Sequence, residues 1–565
     1  MSPEVQMAIA SLREGERARV EKALGAIGAL PLYRADLVFD PRTRIVTGKV
    51  LITLTPKKES LTEIFLRITP NASNEGSVKL SQAQVNGAPA KLSQPDVSLY
   101  RVGLAKPSPV GVPVTVELRV ASKVPEGDLT DAMGGLDDAA PGDYGAYSVT
   151  PEVSCLAGII PMVPFVRANG ELAAGPSGIG DLGTFDPSNF VVSLVVPSGY
   201  SVIAPGNLLG EVPEAGGTRF TYALAAAREL PILVTKGYQM AMSTVGEVTI
   251  ESHFSSKDAA IGKKVLEHAT NAVRVAQEKL GPLPYRRFRV VEAHLSHGAG
   301  GMEFPGLITV AASLYRGSTN PLAAMGMPDL SNNPLLAPLF AQSLGAMMAN
   351  TIEFTVDHEV AHQYIAMLVG SDPIEEPIAD EPLTQAVALR IMEWQRKPEL
   401  ANEIRNSQIK MAFQMMRLMN RPDAKANRPT SEYTNNVEYA GLVYGKAALL
   451  FDAQRALVGV NAFDEALRQY VEEHRYKWVT AKTFTSVLGR VTPSQAGPLE
   501  KLRKRWWEER HGDEDIGGFN LDSLLDLDDA QLGKAAGAQG APGAPPVDPK
   551  LLEQYNAAMK ALMGE

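Results

Sequence analysis

The spacing of apolar side chains changes partway along this chain, and that change sets which kinds of fold each part can form. Tyr33, Ala35, Leu37 and Phe39 occupy alternate positions, DPRTR (40–44) turns the chain, and Val46, Gly48, Val50, Ile52 and Leu54 resume the alternation. Period two puts such side chains on one face of a strand, so 33–54 reads as a β-hairpin. VTVELRV (114–120) and FVVSLVVP (190–197) repeat the pattern between Gly- and Pro-rich turns up to about residue 240. After EVTIESHF (247–254) the period becomes three to four. Ile261, Val265, Ala269, Ala272, Ala276 and Leu280 share one helical face, and Gly281–Pro282 stops the helix. A strand is expected at FRVVEAHL (288–295), then a glycine-rich GAGGMEFPGL (298–307), then helix for most of the way to residue 511.

The expected organisation is a short polar helical extension (1–31), a β-rich domain (32–244), a mainly helical domain (245–516) and a tail (517–565). The tail combines an Ala/Gly/Pro linker (532–548) with a short amphipathic helix (551–563), whose Leu552, Tyr555, Met559 and Leu562 share a face. The length of 565 residues suits several structural units. The N-terminus shows no basic start followed by an apolar run, so at face value the chain reads as cytoplasmic, or as exported with its signal absent. The most apolar segment, Pro334 to Ala349, is interrupted by Gln342, Ser343 and Gly345, and reads as buried or lid-like, with no transmembrane span expected.

Composition removes some functions. The formal charge is −10, so no basic surplus exists to neutralise nucleic-acid phosphates or to hold an anionic membrane. The single cysteine, Cys155, allows neither an intramolecular disulfide nor a cysteine-based zinc site. A metal site must use His, Asp and Glu, and only eight histidines are present.

Two of those histidines stand in TVDHEVAHQYIAML (355–368) with the spacing H-E-x-x-H. Residues four apart on a helix share a face, so His358 and His362 can offer two imidazole nitrogens to one ion, and Glu359 can reach a water at its open position. An ordinary surface helix with two histidines is the bland alternative. Eighteen residues separate His362 from Glu381, which a turn near Gly370–Pro373 would return to the metal on an antiparallel helix. Glu375 and Glu376 are rival third ligands in the expected turn. A His, His, Glu set suits one Zn2+ ion.

With these residues the chain resembles the gluzincin aminopeptidases, the group that contains membrane alanyl aminopeptidase and leukotriene hydrolase. The shared features are H-E-x-x-H, eighteen residues and E; Gly300, Gly301, Met302, Glu303 and Phe304 at the family's G-x-M-E-N motif; Tyr444–Gly445–Lys446 at its Y-x-K; and LGPLPYRRFRVVEAH (280–294) leading into the substrate motif. The resemblance implies an α+β multidomain fold, with an N-terminal β-sheet saddle domain followed by a mainly helical thermolysin-like catalytic domain. It implies a zinc aminopeptidase acting on peptides with a free N-terminus. Glu303 would bind the substrate α-amino group, 300–303 would pair with its backbone, Tyr444 would donate to the oxyanion, and Glu152, nine residues before Pro161, would be a second amine-recognising group. Tyr439 competes with Tyr444, and His294 and His297 read as structural or substrate-lining. Phe304, Tyr364, Pro382, Leu383 and Ala447 depart from the family pattern without removing a catalytic group. An endopeptidase or another zinc hydrolase on the same scaffold is the rival enzyme reading, and a zinc-stabilised binding protein is the non-catalytic one.

Overall fold

The computed structural model describes residues 1–127, 142–183, 185–316 and 337–518, with the side chains of 337–348 excepted. Met1–Thr319 and Met348–Gly517 form one compact unit. Of a second, Asn320–Met347 with Gly518–Glu565, the described part is the opening of one helix and Gly518. Residues 334–336 of the expected lid-like segment, the linker 532–548 and the helix 551–563 lie outside the described residues, while 337–349 begin the helix Ala337–His362.

The alternating segments form strands. Leu32–Asp40 and Ile45–Leu54 pair antiparallel from Leu32↔Thr53 to Asp40↔Ile45. Leu37, Phe39, Val46, Val50 and Ile52 are fully buried, while Val38 and Ile45 are exposed, as period two requires. The hairpin sits inside an eight-stranded sheet whose order is Asn207–Glu214, Gly217–Ala227, Ser188–Val196, Leu32–Asp40, Ile45–Leu54, Val114–Lys123, Val78–Val85, Ala88–Pro89. Leu32–Asp40 and Ser188–Val196 run parallel. Tyr33 stacks on Phe190 with ring centroids 5.1 Å apart. A three-stranded sheet and a four-stranded one complete the β-rich half. The latter runs Ser201–Ile203, Leu233–Thr235, Val153–Leu156, Tyr147–Val149.

A five-stranded sheet opens the second half, in the order Tyr238–Val245, Val248–Ser255, Arg287–Ala293, Leu307–Ala311, Gly301–Phe304. The helix Ala259–Leu280 packs on its first two strands through Val265, Ala269, Ala272, Ala276 and Leu280. Gly262 is required there, because a Cβ would overlap the Phe254 ring. Helices follow to Trp507, among them Ala337–His362, Glu381–Trp394 and Ala448–Val458. A π-helical turn, Ala440–Ala447, precedes the last of these. No described helix is long and apolar enough to cross a membrane.

The N-terminal segment differs from a single polar helix. It forms two, Pro3–Ile9 and Glu16–Leu24, and buries Val5, Ala8, Leu12, Val20 and Ile27. Buried Glu16 accepts hydrogen bonds from Arg475 (2.6 Å) and the Tyr476 hydroxyl (2.7 Å), which fastens this segment to the helical half.

Candidate metal centre and substrate cleft

The helix Ala337–His362 ends on the second histidine, so His358, Glu359 and His362 occupy its last turn. The two Nε2 atoms face each other at 3.0 Å, and Glu381 Oε2 lies 3.3 Å from one and 3.4 Å from the other. A tetrahedral zinc with ligand bonds of roughly 2.0–2.2 Å sets its donors about 3.3–3.6 Å apart. The triangle has nearly that size, its donor set is N, N, O, and all three side chains are buried. These residues fit a zinc ion.

Glu381 is the first residue of its helix and Pro382 the second. Proline costs nothing where the backbone N–H has no intrahelical partner, and the helix N-terminus favours a carboxylate. Burial works against the Glu381 carboxylate, but His362 and His358 hold it below the usual range. The rivals are occupied elsewhere. Glu375 pairs with Arg167 at 3.2 Å and Glu376 accepts from the Ala481 amide at 3.3 Å.

Gly301–Phe304 is the edge strand of the five-stranded sheet, hydrogen-bonded to Leu307–Ala311 on one side only. Gln363, the residue after the second histidine, pins its turn. The Gly306 amide donates to Gln363 Oε1 (2.9 Å), and Gln363 Nε2 donates to the Phe304 carbonyl (3.1 Å). Gly301 lies directly over the general-base candidate, and any Cβ there would overlap the Glu359 carboxylate. Alternation along the strand turns Glu303 to the same side, and Met302 and Phe304 to an apolar cluster with Cys155 and Leu295. Burial pushes the Glu303 carboxyl up to about 7; His362 opposes the rise while Glu381 and Asp380 add to it.

Tyr444 stands on the π-helical turn with its ring 6.3 Å from that of His358. Burial and then Glu381 hold its hydroxyl well above the ordinary tyrosine range, so it stays a proton donor. Tyr439 packs behind it, ring to ring at 5.8 Å. Lys446 of the same motif points away from the cleft. Its ammonium donates to Asp423 (2.7 Å) and to the carbonyls of Ala424 and Glu509 (3.0 and 2.7 Å).

Glu152 is not brought to this cluster. Its carboxylate pairs with Lys257 and with Arg316 (2.9 Å), and Arg316 also holds Asp258 and Glu292. His294 and His297 lie outside the set of metal-competent residues. The His297 ring meets Tyr144 edge-on at 6.3 Å.

Two carboxylates of the β-rich half do feel the charge of Glu303, Asp181 and Glu229, and the sequence reading missed both. Asp181 sits in SGIGDLG (177–183), where Gly178, Gly180 and Gly183 have positive φ. The Gly180 amide donates to the Tyr144 hydroxyl (2.9 Å), and a Cβ on Gly180 would press on the Tyr439 hydroxyl. Leu182 packs on the cluster that includes Met302. Asp181 lies between these two neighbours, near enough to Glu303 and Glu381 for their charges to act on it. Burial raises its carboxyl, and the charges of Glu303 and Glu381 raise it further.

A β-rich half joined to a helical one that carries a His, His, Glu cluster beside an edge strand is an arrangement suited to peptide hydrolysis at a metal. Residues 332–506 match the peptidase family M1 domain. Among solved structures the chain is similar to an M1 zinc metallopeptidase from Deinococcus radiodurans, 19% identical over 84% of this chain and 93% of that one, with a TM-score of 0.59. A glutamate-to-alanine mutant from that organism, bound to the substrate Tyr-Ser-Ala, is 18% identical over 85% and 94%, with a TM-score of 0.56. A two-domain M1 zinc metallopeptidase mutant bound to L-tryptophan is 19% identical over 85% and 94%, with a TM-score of 0.57. At these identities the likeness speaks to the fold. No curated protein matches the chain by sequence.

Proposed function

We propose that this protein is an aminopeptidase that removes N-terminal residues from peptides, using one zinc ion held by His358, His362 and Glu381. The observation that carries the reading is the excess of buried negative charge around two imidazoles. Burial, followed by the charges of neighbouring carboxylates, raises the carboxyls of Asp181 and Glu303; His362 opposes the rise at both. Burial also raises Glu359, again against His362 and with Glu303, Glu381 and Asp380 adding to it. Such a cluster is relieved by cations, and a divalent metal and a substrate ammonium are two of them.

Zinc at this site supplies Lewis acidity toward the scissile carbonyl and toward water. Glu303 and Asp181 hold the substrate ammonium, in the role first read for Glu152. The free edge of Gly300, Gly301, Met302 and Glu303 pairs with the substrate backbone. Fixing the ammonium against the edge strand sets the register so that one residue is removed. Glu359 takes a proton from the attacking water and passes it to the leaving amine. The Tyr444 hydroxyl donates to the oxyanion.

The test is a panel of aminoacyl-anilides, with and without chelator, alongside one peptide in free and N-acetylated forms. Chelator-sensitive turnover confined to free amines is expected. Equal cleavage of the acetylated peptide would make the enzyme an endopeptidase, and zinc binding without turnover would leave a binding protein. Glu303→Ala should reduce anilide hydrolysis far more than zinc content.

A further inference from the structure

Beyond the three ligands, we infer that Asp380 is a positioning residue for the metal centre, one that fixes the ring of His362 and with it the zinc affinity of the site. The inference rests on the metal-centre reading above. Asp380 Oδ1 lies 3.2 Å from His362 Nδ1, on the side of the ring opposite the Nε2 that faces His358 and Glu381. Both side chains are at most 2% exposed, so no bulk water competes. Asp380 Oδ1 makes no hydrogen bond of good geometry among the described residues, so its approach to His362 Nδ1 is an ion-pair contact. A carboxylate there keeps the ring proton on Nδ1, leaves Nε2 free to donate its lone pair to a metal, and raises the basicity of that nitrogen.

The backbone explains how the carboxylate is held. Asp380 precedes the helix Glu381–Trp394, and its carbonyl accepts from the Leu383 and Thr384 amides at 3.1 Å each. One turn thus carries the third ligand and the partner of the second. Thr384 is the competing partner, because its hydroxyl oxygen lies 3.3 Å from the same Nδ1. That hydroxyl also reaches the Asp380 carbonyl at 3.2 Å, and it carries no charge. The two histidines are therefore held differently, since His358 Nδ1 has no hydrogen-bond partner among the described residues.

The experiment measures zinc affinity by chelator competition, and the visible spectrum of the cobalt-substituted protein, for the full-length wild type, Asp380→Ala, Asp380→Asn and Thr384→Val. Asp380→Ala is expected to bind zinc about 10- to 100-fold more weakly, with a changed cobalt spectrum. Asp380→Asn, which keeps an acceptor but not the charge, should fall between it and the wild type, and Thr384→Val should stay close to the wild type. Unchanged affinity and spectrum in a folded Asp380→Ala overturns the inference. If that variant does not fold, an Asp380→Asn protein identical to the wild type in both readouts overturns it. A Thr384→Val loss as large as that of Asp380→Ala assigns the role to the hydroxyl and also overturns it. A wild type that binds no zinc would instead defeat the metal-centre reading itself.

Discussion

At the residue scale the sharpest constraint is on a residue with no side chain. Gly301 lies where a Cβ would overlap the Glu359 carboxylate. Gly301→Ala should therefore push Glu359 aside without touching the ligands. Loss of a general base typically costs 10²- to 10⁴-fold in rate, so kcat should fall by roughly 100-fold or more, with zinc stoichiometry unchanged. Full activity in this variant would remove Glu359 as the base. Asp181→Asn gives a second expected outcome: a raised KM for free-amine peptides, larger than any change in Glu152→Gln, whose carboxylate is spent on Lys257 and Arg316. A KM effect in Glu152→Gln and none in Asp181→Asn would restore the sequence reading. The candidate metal cluster was legible because helix geometry turns a spacing of four into a shared face, and because the chain resembles a family with the same interval to Glu381. Asp181 was not. Its approach to Glu303 comes from a loop of the other half of the chain, and no local spacing encodes that.

At the element scale the period change predicted the strands and the helix Ala259–Leu280 closely, since one buried face dictates each pattern. The N-terminal helices were misread as a polar extension because their apolar residues are few and divided between two short helices. One buried charge adds to the apolar contacts that attach them. Glu16 is the acceptor for both Arg475 and Tyr476, and all three are nearly inaccessible. Removing one partner of a buried pair typically costs about 3–5 kcal/mol. Glu16→Ala should lower unfolding free energy by about that amount in denaturant titration, with anilide KM unaffected at temperatures where it is folded. A loss below about 1 kcal/mol, the range of a surface pair, would show that the segment is held by other contacts. The Y-x-K motif was also legible, but only in part. The family resemblance pointed to Tyr444, while the role of Lys446 as a buried tether to Asp423 needed the partner helices.

At the scale of the whole molecule, one charge network joins the five-stranded sheet to the β-rich half. Glu251 accepts from Arg289 (2.8 Å), Arg287 and His253, and Arg289 also donates to the carbonyls of Ala204 and Gly206 at 2.8 Å each. Burial opposes ionisation of Glu251, but His253 and Arg289 outweigh it and bring its pKa from 4.5 to about 2. A carboxyl whose folded pKa is depressed binds more protons when unfolded, so its stabilisation is present above the unfolded pKa and lost as pH falls toward the folded one. The shift is worth about 3 kcal/mol. Wild type should thus exceed Glu251→Gln by about that much near neutral pH, and the gap should close between about pH 4.5 and pH 2. The raised carboxyls of the cleft respond to pH in the opposite sense, but they are common to both proteins and cancel in the difference. Urea titrations of the two proteins across that range would measure it. A gap that stays constant with pH would mean that Glu251 holds Arg289 by packing alone, and that acid loosens the two halves elsewhere.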